Sequence, residues 1–171
     1  MRRTLLDAGF FRVDEITVRT RTGGERTRRI VVHPGAAVIL PFLDADRVIL
    51  IRNVREAVGG ELLELPAGKV DPEEDAESCA RRELEEETGY RAGSTEALCE
   101  FFPSPGILTE KIFAFVARDL TPVGQRLEEG EDITPVIMTW SEAMKLVRER
   151  RIEDGKTLIA LMMYDLLRRA R

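Results

Sequence analysis

"GKVDPEEDAESCARRELEEETGY", residues 68–90, carries nine acidic and only two basic residues between Asp71 and Glu87, a net −7. The pattern predicts a helix from about Pro72 or Asp75 to Thr88, stopped by Gly89. Ala76, Cys79, Ala80 and Leu84 recur at helical spacing and form its apolar stripe. Glu83, Glu86 and Glu87 stand at i, i+3 and i+4, so their carboxylates converge on another side. Like charges at that spacing repel. Arg82 can pair with Glu86, and Arg81 with Glu85, leaving Glu83 and Glu87 without an evident helical partner. Either this is a solvated charged face held by such pairs, or the carboxylates gather around a hard divalent cation.

Outward from the helix, the chain reads as strands with few helices. "FFRVDEITVRTRTGGERTRRIVVH" predicts two strands about a turn at Gly23-Gly24. "AAVILPFL" and "RVILIRNV" are apolar runs of strand length joined at Asp44-Ala45-Asp46, and "GGELLELPAG" reads as a further strand ending at Pro66 and Gly68. "STEALCEFF" and "KIFAFVARDL" flank the loop "PSPGILTE", and "DITPVIMTW" is another strand. "SEAMKLVRERR" predicts a helix capped by Ser141, and "KTLIALMMYDLLRRAR" an amphipathic one. Strands and helices without regular alternation indicate an α+β fold with mixed sheet packing rather than a doubly wound one.

The 171 residues suit one domain with a small appendage, and a 43% hydrophobic content suffices for a core. A formal net charge of −5 argues against nonspecific nucleic-acid binding. The basic groups Arg26, Arg28, Arg29 and Arg168, Arg169, Arg171 read as solvated surface. No secretory signal or membrane-length apolar run is evident, so a cytoplasmic location and reduced Cys79 and Cys99 are expected. Neither cysteine has zinc-site spacing, and Cys79 falls on the apolar stripe. His33, the single histidine, precedes Pro34 at a strand end and reads as structural.

From Gly68 the order is five residues, Glu74, seven residues, Arg82-Glu83-Leu84, one residue, Glu86-Glu87, one residue, Gly89 and Tyr90. This resembles the Nudix box, G-x5-E-x7-R-E-U-x-E-E-x-G-U, at every fixed position; Tyr90 replaces an aliphatic residue in the last place. The resemblance implies a Nudix-type α/β/α sandwich with a mixed sheet and a Mg²⁺-dependent pyrophosphohydrolase, with Mn²⁺ as a substitute. Glu83, Glu86, Glu87 and the carbonyl of Ala67 would hold metal; Gly68, Glu74, Arg82 and Gly89 would be structural, Glu74 and Arg82 as an ion pair. Glycine at 68 lets the backbone pass close to the metal.

The likeness extends to the ADP-ribose pyrophosphatase subfamily. Pro105, sixteen residues after Gly89, resembles the proline of its substrate loop, which implies substrate contacts from Pro105, Gly106 and Glu110; a rigid turn is the plain alternative. "EEGEDI", residues 128–133, is similar to its acidic loop, which implies Glu131 or Glu129 as catalytic base or further metal ligand, beside Glu86; an acidic, mobile surface loop is the plain alternative. Arg55 and Glu64 correspond to residues that approach the substrate, although the facing of Arg52 and Arg55 does not follow from any alternation. Residues 1–35, as an N-terminal antiparallel sheet, would pair across a twofold homodimer, with Phe10 or Phe11 either stacking on a base or, as aromatics more often do, filling core; residues 36–171 would form the hydrolase core. The implied partner is a nucleoside diphosphate sugar, with no nucleic acid and no membrane. GDP-mannose, ADP-glucose and FAD are rival substrates, and a non-catalytic ADP-ribose-binding module is the rival from another class.

Overall fold

The computed structural model describes residues 1–169, so Arg171 of the C-terminal basic group lies outside the described residues. Three strands, β1 (Arg2–Asp7), β2 (Arg12–Arg19) and β3 (Glu25–Val32), form an antiparallel N-terminal sheet in the order β1-β2-β3. The turn after β2 uses Gly23 at φ +88°, a conformation open to glycine. β1 is absent from the apolar pattern because all its residues are exposed. What holds it is polar. Asp14 is fully buried beneath it and accepts from Thr4 Oγ1 at 2.9 Å, from Arg12 Nε at 3.1 Å and from Arg2. Burial alone would raise the Asp14 carboxyl; these three donors outweigh it and hold the carboxyl below its usual range.

The core begins at β4 (Ala36–Pro41), every residue of which is buried. Period-two alternation divides the strand between two cores. Ala36, Val38 and Leu40 face a cluster containing Ala160 and Leu161; Ala37 and Ile39 face Cys79, Ala80 and Leu84. The first cluster includes helix α3 (Gly155–Arg169), the second helix α1 (Ala76–Thr88). The sheet between them runs β7-β4-β10-β9, with β7 (Ala67–Lys69), β9 (Ser94–Phe101) and β10 (Ile112–Arg118). β10 is parallel to β4 and antiparallel to β9, so the sheet is mixed and the fold is an α/β/α sandwich of α+β type. β5 (Arg47–Arg55) leaves the Asp44–Asp46 turn for a second sheet, β12-β5-β6, with β6 (Gly60–Glu64) and β12 (Ile133–Thr139). A short 3₁₀ turn, Glu56–Val58, joins β5 to β6, and β8 (Tyr90–Arg91) pairs with β11 (Thr121–Pro122).

Three expectations need correction. "GGELLELPAG" is not one strand: it breaks at Leu65-Pro66, where proline offers no N–H to a ladder, and β6 and β7 join different sheets. Helix α2 (Trp140–Arg148) is capped by Thr139 and not Ser141; Glu142 completes a capping box, its backbone N–H reaching Thr139 Oγ1 at 3.2 Å and its carboxylate accepting from Thr139 N at 2.8 Å. Arg81 pairs with Glu77 one turn back, and Glu85 instead takes Arg91 at 2.8 Å.

At the far side of the core, Phe42, Trp140 and Tyr164 pack ring on ring with centroids 4.8–5.6 Å apart. The N-terminal sheet is tied to the "SPGILTE" loop: Val31 N donates to Ile107 O at 2.7 Å and Thr109 N to Val31 O at 2.9 Å. Among the described residues no helix is long and apolar enough to cross a membrane.

Candidate active site

Helix α1 starts at Asp75, whose carboxylate accepts from Ser78 N, and ends at Gly89 in the left-handed region at φ +76°. Its buried stripe, Cys79, Ala80 and Leu84, fixes its rotation, so Glu83 and Glu87 point back toward β7. The cation among the glutamates is Arg82. Its Nη2 donates to Glu74 Oε1 at 2.7 Å, and its Nη1 to Glu83 Oε1 at 2.7 Å and Glu86 Oε2 at 2.9 Å. Glu74 therefore sits below its usual range, chiefly through the Arg82 bond. The expected Glu74–Arg82 and Arg82–Glu86 pairs are present, and Glu83 has Arg82 as a neighbour that helical spacing did not supply.

β7 brings its backbone against these carboxylates. Ala67 N donates to Glu87 Oε2 at 2.9 Å. A Cβ at Gly68 would lie 1.9 Å from Glu83 Oε1, so any side chain there must displace the Glu83 carboxylate or β7. Glu83 is pushed up to about 7 by burial, which the charge and hydrogen bond of Arg82 do not offset; Glu86 and Glu131 add smaller repulsions. Glu87 is pushed up to about 8, again first by burial, then by Glu83 and Glu131. Burial lifts both carboxyls although Arg82 adjoins Glu83 and the charge of Arg55 acts on Glu87.

The acidic loop is delivered by the end of the same helix. A helix C-terminus leaves carbonyls without partners. Arg126 N donates to Glu86 O at 2.9 Å, Gln125 Nε2 to Glu87 O at 2.7 Å, and Val123 N and Gly124 N to Gly89 O. The chain then turns at Glu128–Glu131, where Glu128 N donates to Glu131 Oε2 at 2.8 Å. Glu131 thereby joins Glu83, Glu86, Glu87, Ala67 and Gly68 around a cavity of about 400 Å³. Glu129 is exposed and outside that lining.

The donor set is all oxygen and multiply anionic, which suits a hard divalent cation. Gly68 leaves open the side-chain space that any other residue would fill against Glu83. As the side chains stand, no three His, Cys, Asp or Glu among the described residues form a ready metal-ligand group, and Arg82 bonds Glu83 and Glu86. Arg82 occupies one oxygen of each, Glu83 Oε1 and Glu86 Oε2, and leaves the other oxygen of each carboxylate for a cation.

Arg55 lines this cavity and a neighbouring one of about 480 Å³. Its guanidinium grips Glu64 with two bonds of 2.8 and 2.9 Å. Glu64 is buried and also accepts from Lys156 Nζ at 2.7 Å; it lies beneath the cavity lining. Arg52 faces outward to Glu61. Pro103 and Glu110 line the second cavity, whereas Pro105 and Gly106 lie exposed beyond it. Glu110 stands 3.4 Å from His33 Nδ1, and Phe10 lines both cavities. Sequence reasoning passed over Asn53, Lys69, Asp71 and Asp132 at the first cavity and Asp154 and Lys156 at the second. Asp132 was legible, being part of the acidic loop; Lys156, 92 residues from its partner Glu64, had no local signal.

Comparison with known proteins places this geometry in a family. The NUDIX domain pattern matches residues 32–161. The chain is 35% identical to an ADP-ribose pyrophosphatase of Bacillus subtilis over 151 residues, 87% of this chain and 82% of that protein. It is 37% identical to a GDP-mannose pyrophosphatase of Cronobacter sakazakii over 178 residues, 95% and 92% of the two chains. It superposes on the crystal structure of an ADP compounds hydrolase with a TM-score of 0.87 at 25% identity, covering 99% of this chain and 92% of the other. With the box of residues 68–90 intact and its carboxylates gathered at one cavity, the chain belongs to the Nudix family of hydrolases.

Proposed function

We propose that this chain hydrolyses the diphosphate of ADP-ribose, or of a related nucleoside diphosphate sugar, giving AMP and ribose 5-phosphate from ADP-ribose. The observation that carries this reading is the cavity where Glu83, Glu86, Glu87 and Glu131 meet the Ala67–Gly68 backbone. Nudix hydrolases generally use divalent metals. Mg²⁺, with Mn²⁺ as substitute, fits these oxygen donors, Ala67 O included; when bound it neutralises diphosphate charge and lowers the pKa of a water. Arg55 offers a guanidinium to the diphosphate. Glu131 is the proposed base, which its place in the cavity supports over Glu129. Water oxygen bonds to one phosphorus as that phosphorus's bond to the bridging oxygen breaks; the water's proton passes to the carboxylate and the bridging oxygen leaves with the other phosphate. The protein is proposed to be a cytoplasmic homodimer joined through residues 1–35, which sedimentation at two concentrations tests.

The related GDP-mannose pyrophosphatase favours a second reading at the base and sugar. The deciding experiment is product release from ADP-ribose, GDP-mannose, ADP-glucose and FAD at equal concentration, with and without Mg²⁺. Metal-dependent AMP formation fastest on ADP-ribose supports the first reading. Preference for GDP-mannose moves the substrate and keeps the centre. Binding of ADP-ribose without turnover of any of the four overturns the enzyme reading.

A further inference from the structure

We infer that Thr157, backed by Asp154, is a positioning residue for the carboxylate centre, acting through the backbone of Leu65–Gly68. The inference rests on the reading of that centre as a hydrolase site given above.

The break between β6 and β7 creates the need. β6 ends at Glu64 and β7 starts at Ala67. Leu65 lies between them, fully buried, with an N–H that neither ladder uses. A buried N–H without an acceptor is destabilising. The acceptor comes from across the sheet. Thr157, in the first turn of α3 and fully buried, takes the Leu65 N–H on Oγ1 at 2.7 Å. Its own hydroxyl proton is committed to Asp154 Oδ2 at 2.6 Å. That fixes the direction of both bonds, because a hydroxyl has one proton to give. Asp154 is itself held: Oδ2 also accepts from Thr157 N at 2.9 Å, and Oδ1 from Lys156 Nζ at 2.9 Å.

Three residues beyond Leu65 stands Gly68. Pro66 O accepts from Ile39 N at 3.0 Å, Ala67 N donates to Glu87, and Gly68 abuts Glu83 with no room for a methyl group. The segment is therefore held at successive residues by α3, β4 and α1. At its far end Ala67 N bonds Glu87 and Gly68 abuts Glu83, so a slip at Leu65 displaces the Ala67 and Gly68 backbone relative to both carboxylates. Packing alone needs no hydroxyl at position 157, since valine has the same shape. The hydroxyl is needed for register.

Thr157→Val removes the acceptor and keeps the volume; Thr157→Ser keeps the acceptor. Each is compared with the wild type by circular dichroism, by Mn²⁺ binding to the substrate-free protein in electron paramagnetic resonance, and by steady-state hydrolysis of the substrate the wild type prefers. Outer partners of metal ligands are worth roughly 10–100-fold in metal affinity or activity. Folded Thr157→Val is expected to lose about 10-fold or more in both Mn²⁺ affinity and kcat, with KM changed less than kcat, and Thr157→Ser is expected to recover both. A folded Thr157→Val with wild-type Mn²⁺ affinity and kcat overturns the inference. If Thr157→Val does not fold, Thr157→Cys, a weaker acceptor of similar size, decides it: partial loss of both supports the assignment, wild-type values overturn it. A wild type that neither binds Mn²⁺ nor turns over substrate removes the site reading itself, which is a different result from an active wild type matched by its valine variant.

Discussion

Gly68 and Glu83 touch so closely that a single added carbon at residue 68 would lie 1.9 Å from the Glu83 carboxylate. Gly68→Ala must push either β7 or Glu83 away. Misplacing a reacting or ligating group by about 1 Å can cost roughly 100-fold in rate. Gly68→Ala is expected to lose at least that in kcat, while far-ultraviolet circular dichroism stays that of the wild type. A variant with unaltered kcat shows that the contact is not needed for turnover.

The raised carboxyls make a prediction about pH and metal together. Glu83 near 7 and Glu87 near 8 lie above the ordinary value of 4.5, so the folded chain holds protons that the unfolded chain has released. Stability from these groups is fully present below about pH 4.5 and is lost as pH rises through 7 to 8. In chelator, the melting temperature should fall between pH 5.5 and 8.5. Adding Mg²⁺ should restore more of it at pH 8.5 than at pH 5.5, and Glu87→Gln should flatten the fall. A chelated wild type whose melting temperature is level or rising over that range contradicts this account.

Arg82 serves three carboxylates. Arg82→Ala removes the partner of Glu74, Glu83 and Glu86 at once. Losing one side of a partly buried network costs on the order of 3 kcal/mol. Urea denaturation should show a loss of about that size in chelator. Mg²⁺ should offset part of it by supplying positive charge to Glu83 and Glu86. Arg82→Lys is expected to recover little, because one ammonium cannot span the three acceptors.

Glu64 is buried between Arg55 and Lys156. Burial would raise its carboxyl, yet bonds from both cations hold it below the usual range, so its contribution is present above pH 4.5 and is lost in acid. Glu64→Gln leaves Arg55 with one acceptor in place of two. We expect a destabilisation of about 2–3 kcal/mol and a KM increase that exceeds the fall in kcat, because Arg55 loses its orientation. An unchanged KM separates Arg55 from substrate binding.

The parts legible in sequence share one property: their cause is local. The α1 boundaries follow from Asp75 and Gly89, and the carboxylate side from the spacing of Glu83, Glu86 and Glu87. The cap of α2 was legible too, in the Thr139 and Glu142 spacing, but Ser141 offered a competing hydroxyl. Arg81 had acidic residues one turn away on both sides, and tertiary packing chose Glu77. β1 could not be found from apolar periodicity, because its anchor is the buried carboxylate of Asp14. The Thr157–Leu65 bond joins residues 92 apart, and only the folded layers bring them together.

The ring cluster at the far side of the core has a practical use. Trp140 is the single tryptophan of the chain, stacked on Phe42 and edge-on to Tyr164, away from the lining of either site cavity. Its indole is 4% exposed. Tryptophan-selective emission from this protein thus reports one buried indole, which should redden when the sandwich opens and stay constant when the carboxylates change partners. Intrinsic fluorescence can separate a damaged centre from a damaged fold in every variant above, with no added label.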